Sequence, residues 1–242
     1  MTELARQGAN IALLDIADPD AMPALRGHRL ASRAELEEAT RLVEAKAVRA
    51  LPLAADIRDR QAMCRAAAQA ARTFGGNGTL DILVANAGIA INGKLARPDP
   101  VAWEALLDVN LTGTLHSVQE ALPHLRRPGG RIVVVTSVQA RTGSAESGAY
   151  AVTKWGLTGL MKSLALELGP GGIAVNAVAP TGVDAAMVRR TSGEGGPPTQ
   201  AGGCGSPDTR CRANCSSPAR SPPPSPFSPV PAPASCQARR WM

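Results

Sequence analysis

Arg131-Ile132-Val133-Val134-Val135-Thr136-Ser137 decides the fold, read with the stretch that follows it, Ser147-Gly148-Ala149-Tyr150-Ala151-Val152-Thr153-Lys154. The first is a β-branched run and reads as a buried strand ending on a hydroxyl. The second opens a helix that runs to about Leu168, where Gly169-Pro170-Gly171-Gly172 ends it. Ile173 to Ala179 is then another strand, closing on Pro180-Thr181.

The same alternation holds upstream. Residues 2–8 read as the last turns of a helix capped at Gly8, followed by the short strand Ile11-Ala12-Leu13-Leu14-Asp15. A polar loop covers 17–31. Ser32-Arg33-Ala34-Glu35 is a capping box, and its helix runs to about Lys46. Ala50 to Ala54 is a strand closing on Asp56, and a helix spans roughly Asp59 to Phe74 before Gly75-Gly76-Asn77-Gly78. Leu80-Asp81-Ile82-Leu83-Val84-Ala85 is a strand running into Asn86-Ala87-Gly88, a turn small enough for a ligand to approach the backbone. Pro100 to Arg126 has helical periodicity, with Asn110 and Gly113 as costly residues in its middle. Strands alternating with helices predict an α/β fold with a parallel sheet covered on both faces. In such sheets ligands bind beyond the carboxyl ends of the strands. Asp15, Asp56, Asn86, Ser137 and Thr181 all fall at those ends, and the Tyr150 helix starts from the same rim.

Tyr150 and Lys154 stand one turn apart on one helix face. A free phenol titrates near about 10, too high for a base at neutral pH. A cation beside it favours the phenolate, so Lys154 is expected to bring Tyr150 into the working range. Alone, this spacing is ordinary on an amphipathic helix; the polar strand ends around it give it weight. Tyr150 is also the only tyrosine in the chain.

The 242 residues suffice for one α/β domain, and at 2% aromatic content its core must be built from Ala, Val, Leu and Ile. The net charge is +6, of which residues 191–242 carry +3 (five Arg against Glu194 and Asp208). The body is near balance, with no basic stripe interleaved with aromatics, so nucleic acid is not an expected partner. No apolar run approaches a membrane span and no signal peptide is visible, so no membrane partner is expected. Only Cys64 of the five cysteines lies in the body, which points to a reducing, cytoplasmic setting.

Over about residues 2–190 these motifs resemble the short-chain dehydrogenase/reductase family: Asn86-Ala87-Gly88 after a strand, Asn110 in the long helix, Ser137 thirteen residues before Tyr150, and Tyr150-x-x-x-Lys154. The resemblance implies a Rossmann-like doubly wound sheet and an oxidoreductase that interconverts a secondary alcohol and a ketone. It implies Tyr150 as the general acid/base, Ser137 as the group that holds the substrate oxygen, and Lys154 as the cation that binds the nicotinamide ribose. It implies Asn110 as the anchor of a proton-relaying water. Asp15 with Ile16 would bind the adenosine ribose, which favours NAD over NADP because a 2′-phosphate would meet like charge. Asp56 and Ile57 would flank the adenine; Asn86, Ala87, Gly88, Pro180 and Thr181 would line the cofactor channel. A homodimer or homotetramer through helices about 100–126 and 147–168 is implied as well. The long 17–31 segment and Glu38-Ala39-Thr40-Arg41-Leu42-Val43-Glu44-Ala45 are similar to the mycofactocin-coupled, carveol dehydrogenase-like subgroup.

The chain departs from the family pattern at both ends. The family's first strand and its glycine-rich loop, a pyrophosphate cradle at a helix N-terminus, have no counterpart here. A central strand's loss is expected to leave a gap lined by apolar surface and unpaired backbone groups. Ala185 stands where a threonine is usual. From Thr191 the composition shifts, with 11 of the 20 prolines and four of the five cysteines in the last 52 residues. Residues 191–242 are therefore expected to form a disordered tail outside an incomplete domain of residues 1–190. The spacing of Cys204, Cys211, Cys215 and Cys236 matches no zinc pattern, so no metal is expected. An alternative to the enzyme is a remnant that keeps the family's helices and acts through contacts alone.

Overall fold

The computed structural model describes residues 1–22, 30–74 and 78–181. Gly75-Gly76-Asn77, Ala185 and the segment from Thr191 lie outside them. Helix α1 (Thr2–Arg6) ends at Gly8, whose φ of +86° lets the Ala9 N–H turn back to the Leu4 carbonyl at 3.1 Å. Strand β1 (Ile11–Asp15) follows, then α2 (Arg33–Glu44), β2 (Ala50–Ala54) and α3 (Arg60–Phe74). The predicted capping box opens α2: the Glu35 N–H donates to Ser32 Oγ, and the Ser32 N–H donates to Glu35 Oε2 at 2.8 Å. Helix α2 buries Leu36, Thr40 and Val43, one stripe at helical spacing. Helix α3 buries Met63, Ala66, Ala67, Ala70 and Ala71, a small-residue face that packs close to the β2 side.

Strand β3 (Ile82–Ala85) leads to α4 (Pro100–Leu106), which Asp99 caps through the Val101 N–H. The helix does not run straight on to Arg126 as its periodicity predicts. Leu107–Gly113 forms a π-helical turn, then α5 (Thr114–Ala121) and a 3₁₀ turn, Leu122–His124, complete it. The widened turn carries Asn110 inward, an arrangement typical of functional positions. Strand β4 (Arg131–Val135), a 3₁₀ turn at Val138–Ala140, helix α6 (Gly148–Leu168) and β5 (Ala174–Val178) close the described chain. No described helix is long and apolar enough to cross a membrane.

All five strands pair in parallel, in two sheets. Strands β1 and β2 form one; β3, β4 and β5 form the other. Among the described residues nothing pairs β1 with β3. Strand β2 is an edge, which is why it tolerates Pro52 opposite Leu13. On β3, Ile82 and Val84 are each 43% exposed. The other face is packed: Leu83, Ile132, Val134, Ile173 and Val175 meet Val118 of α5 and Leu157 and Leu164 of α6. Nearly all of the core is aliphatic, as the composition requires.

Candidate active site

Residues that follow separate strands come together in one buried cluster. Ile57 after β2 and Ile89 after β3 pack with Met63, Leu106 and Val109, and Leu14 of β1 and Tyr150 of α6 lie against them. The two sheets thus deliver their carboxyl ends to a common place despite the break between them.

Ser137 lies just after β4, is buried, and its Oγ accepts the Gln139 N–H at 3.2 Å. Its side chain also acts on the Tyr150 phenol, favouring the phenolate. Partial burial raises the Tyr150 pKa, and the Ser137 side chain offsets only part of that. Lys154 is 5% exposed, and its Nζ donates to the Val135 carbonyl at 3.0 Å. Burial brings its ammonium down to about 8. The Nζ lies 5.5 Å from the centre of the Tyr150 ring. Desolvation is the largest cause at both residues, raising the phenol and lowering the ammonium; for Tyr150 that is opposite to the direction expected from Lys154.

Asn110 is fully buried and its side chain is committed. Oδ1 accepts the Ile89 N–H at 2.8 Å, and Nδ2 donates to the Ile89 carbonyl at 2.9 Å and to Thr153 Oγ1 at 3.1 Å. Both amide hydrogens are spent, so the side chain is a staple between the π-helical turn, the loop after β3 and α6. Its backbone carbonyl accepts the Thr114 hydroxyl at 2.8 Å. Gly88 allows the close approach: a Cβ there would lie 3.0 Å from Asn110 Oδ1 and 3.7 Å from Lys154 Nζ. Asn86, Ala87 and Gly88 otherwise face solvent, as does Thr181, while Pro180 accepts the Val138 N–H at 2.9 Å.

At the end of β1, Asp15 Oδ1 accepts the Ala17 N–H at 3.1 Å, with Ala17 at φ +54° and Ile16 half-buried between them. Asp56 is paired with Arg58, whose Nε and Nη2 reach its carboxylate at 2.6 to 3.1 Å. Burial opposes that charge, but the Arg58 bonds outweigh it and hold Asp56 below the usual carboxylate range. The Ile57 side chain is buried under Gly113, where a Cβ would come within 2.6 Å of its Cγ1, so that side chain packs the core. An apolar cavity of about 360 Å³ lies beside α6, lined by Leu95, Thr142, Gly148, Val152 and Trp155. Helical period turns Gly148, Val152 and Trp155 away from Tyr150 and Lys154, so this is not the catalytic pocket. No described cluster of His, Cys, Asp or Glu could hold a metal ion.

Sequence reading missed Thr153, Ile89 and the Val135 carbonyl. Thr153 alone left a trace: a β-branched hydroxyl inside a helix, within one turn of the Tyr150 carbonyl.

Parallel strands whose polar carboxyl ends meet one buried cluster define an α/β protein with a candidate site at that rim. A family model, short chain dehydrogenase, matches residues 2–194. The chain belongs to that family. It is 36% identical over 190 residues to the (-)-trans-carveol dehydrogenase of Rhodococcus erythropolis, covering 77% of this chain and 66% of that protein. Among solved structures it matches carveol dehydrogenase from Mycobacterium avium in complex with NAD, with a TM-score of 0.71 and 36% identity over 77% of this chain and 66% of the other. It also matches a short chain dehydrogenase from Mycobacterium paratuberculosis bound to NAD, with a TM-score of 0.70 and 30% identity over 78% and 71%. The chain thus spans just under two thirds of the length of the curated relative it matches.

Proposed function

We propose that the chain binds NAD across the carboxyl ends of its strands and interconverts a secondary alcohol and its ketone. The observation that carries this is the meeting of three residues: Ser137 is buried at the carboxyl end of β4 and acts on the Tyr150 phenol, and the buried Lys154 Nζ lies 5.5 Å from the centre of the Tyr150 ring. The residues present suit the two riboses. Asp15 offers a carboxylate at a strand end, Lys154 a buried donor, and Asn86 to Gly88 an open backbone. The Asp15 charge favours NAD over NADP. Bound NAD would supply the hydride acceptor.

The chain's own residues handle the oxygen and its proton. Ser137 orients the substrate oxygen toward Tyr150. Because burial keeps Tyr150 protonated, it is poised to donate to a carbonyl oxygen; in the alcohol direction it must first lose that proton. Lys154, still mostly protonated at pH 7, provides the cation that the phenolate then needs. Similarity to carveol dehydrogenases supports a hydrophobic cyclic alcohol as substrate and a place in the mycofactocin-coupled subgroup. Exposed Val152, Trp155 and Leu166 on α6 support self-association through that helix. The near-absence of cysteine from the body supports work in the cytoplasm.

The test is nucleotide content followed by turnover. The purified chain, denatured, should release NAD, and Tyr150→Phe should abolish turnover while leaving the NAD in place. Turnover that survives Tyr150→Phe sinks the mechanism. A second reading, a chain acting only through contacts, draws on the break between the sheets; a cooperative melt with no nucleotide would favour it, and no nucleotide with no cooperative melt would mean a chain that does not fold stably.

A further inference from the structure

We infer that Thr153 is a positioning residue, one that locks Asn110 and the Tyr150 turn into a single unit; the inference rests on the acid/base reading of Tyr150. Thr153 is 1% exposed. Its hydroxyl hydrogen goes to the Tyr150 carbonyl at 2.7 Å, so the oxygen faces Asn110 Nδ2 as an acceptor at 3.1 Å. That choice sets the amide orientation. A flipped Asn110 would bring its oxygen against two acceptors, Thr153 Oγ1 and the Ile89 carbonyl. The bonds run unbroken from the loop after β3, through the π-helical turn, to the carbonyl of the reacting tyrosine.

Other helix hydroxyls here do less. Thr40, Thr114, Ser117 and Thr158 each bond the carbonyl four residues back on their own helix. Thr153 instead reaches three back, to Tyr150, and takes a second bond from another helix. Valine would fill the same space without a buried hydroxyl, so packing alone does not call for threonine.

The chain's single tyrosine makes the test direct, because the ultraviolet tyrosinate band reports Tyr150 and nothing else. Thr153→Val should loosen the turn, admit water to the phenol, and drop its pKa toward the ordinary value. Thr153→Ser should restore the wild-type titration. Thr40→Val, which removes a buried hydroxyl of the same kind elsewhere, should leave it unchanged. In turnover, Thr153→Val should lose about tenfold or more in kcat, with KM for NAD within about twofold. A Thr153→Val phenol that titrates with the wild type, or an unchanged kcat, overturns the inference. Should Thr153→Val fail to fold, Asn110→Ala cuts the same chain of bonds and must lower the Tyr150 pKa likewise; a wild-type titration there overturns it equally. Turnover surviving in Tyr150→Phe would instead refute the acid/base reading, while the titration shift would still stand.

Discussion

Replacing Lys154 by methionine should stabilise the folded chain at neutral pH while removing its turnover. The ammonium is 5% exposed, its one hydrogen bond among the described residues is to the Val135 carbonyl, and burial is the sole cause that moves its pKa. The unfolded chain holds this proton up to about 10.5, whereas the folded chain releases it near about 8. Between those values the unfolded state binds more protons, so stability rises with pH across that window. Below about 8 the full penalty applies, and at about 1.4 kcal/mol per pH unit it amounts to roughly 3 kcal/mol. Losing the bond to Val135 returns about 1 kcal/mol of that. Lys154→Met is therefore expected to gain about 1–3 kcal/mol near pH 7. By about pH 9.5 the wild type should have recovered roughly 2 kcal/mol relative to the variant. Denaturant unfolding of both chains, followed by circular dichroism at the two pH values, measures this. A difference between the chains that does not change with pH would refute the reasoning, because only a titrating buried ammonium makes it vary. The trade is the usual one at functional sites, where a residue unfavourable to the fold is kept for the reaction.

Gly113→Ala should cost about 1–3 kcal/mol, since its Cβ would meet Ile57 Cγ1 at 2.6 Å and the Asp108 carbonyl at 3.2 Å; pairing it with Ile57→Ala should recover part of the loss in a double-mutant cycle of denaturation curves. Ala47 sits at φ +59° just beyond α2, so Ala47→Gly should add about 0.5–1 kcal/mol, read as a raised thermal midpoint. Asp15→Ser should narrow the preference for NAD over NADP by about tenfold or more in nucleotide titrations, with binding of NAD itself weakened as the ribose loses its acceptor.

Local sequence was enough to place every strand and most helices. β-branched runs such as Ile132 to Val135, the Ser32–Glu35 capping box and the Gly8 and Gly172 stops act within a few residues, and such signals survive without knowledge of the rest of the chain. The family and its Ser137, Tyr150 and Lys154 positions were legible for the same reason, as spacings along one chain. The π-helical turn was not: Asn110 and Gly113 announced a local cost, but its form depends on Ile89 and Thr153, 21 and 43 residues away.

By itself the sequence determined an aliphatic α/β chain of parallel strands with polar groups at their carboxyl ends, because strand pattern, turns and composition are properties of neighbours. Tertiary structure alone decided the burial that drives Tyr150 up and Lys154 down and the staple that joins Asn110 to Thr153. Each of these depends on what lies across a gap or inside a core, and desolvation and hydrogen-bond geometry are set by such distant partners rather than by the residues beside them in the chain.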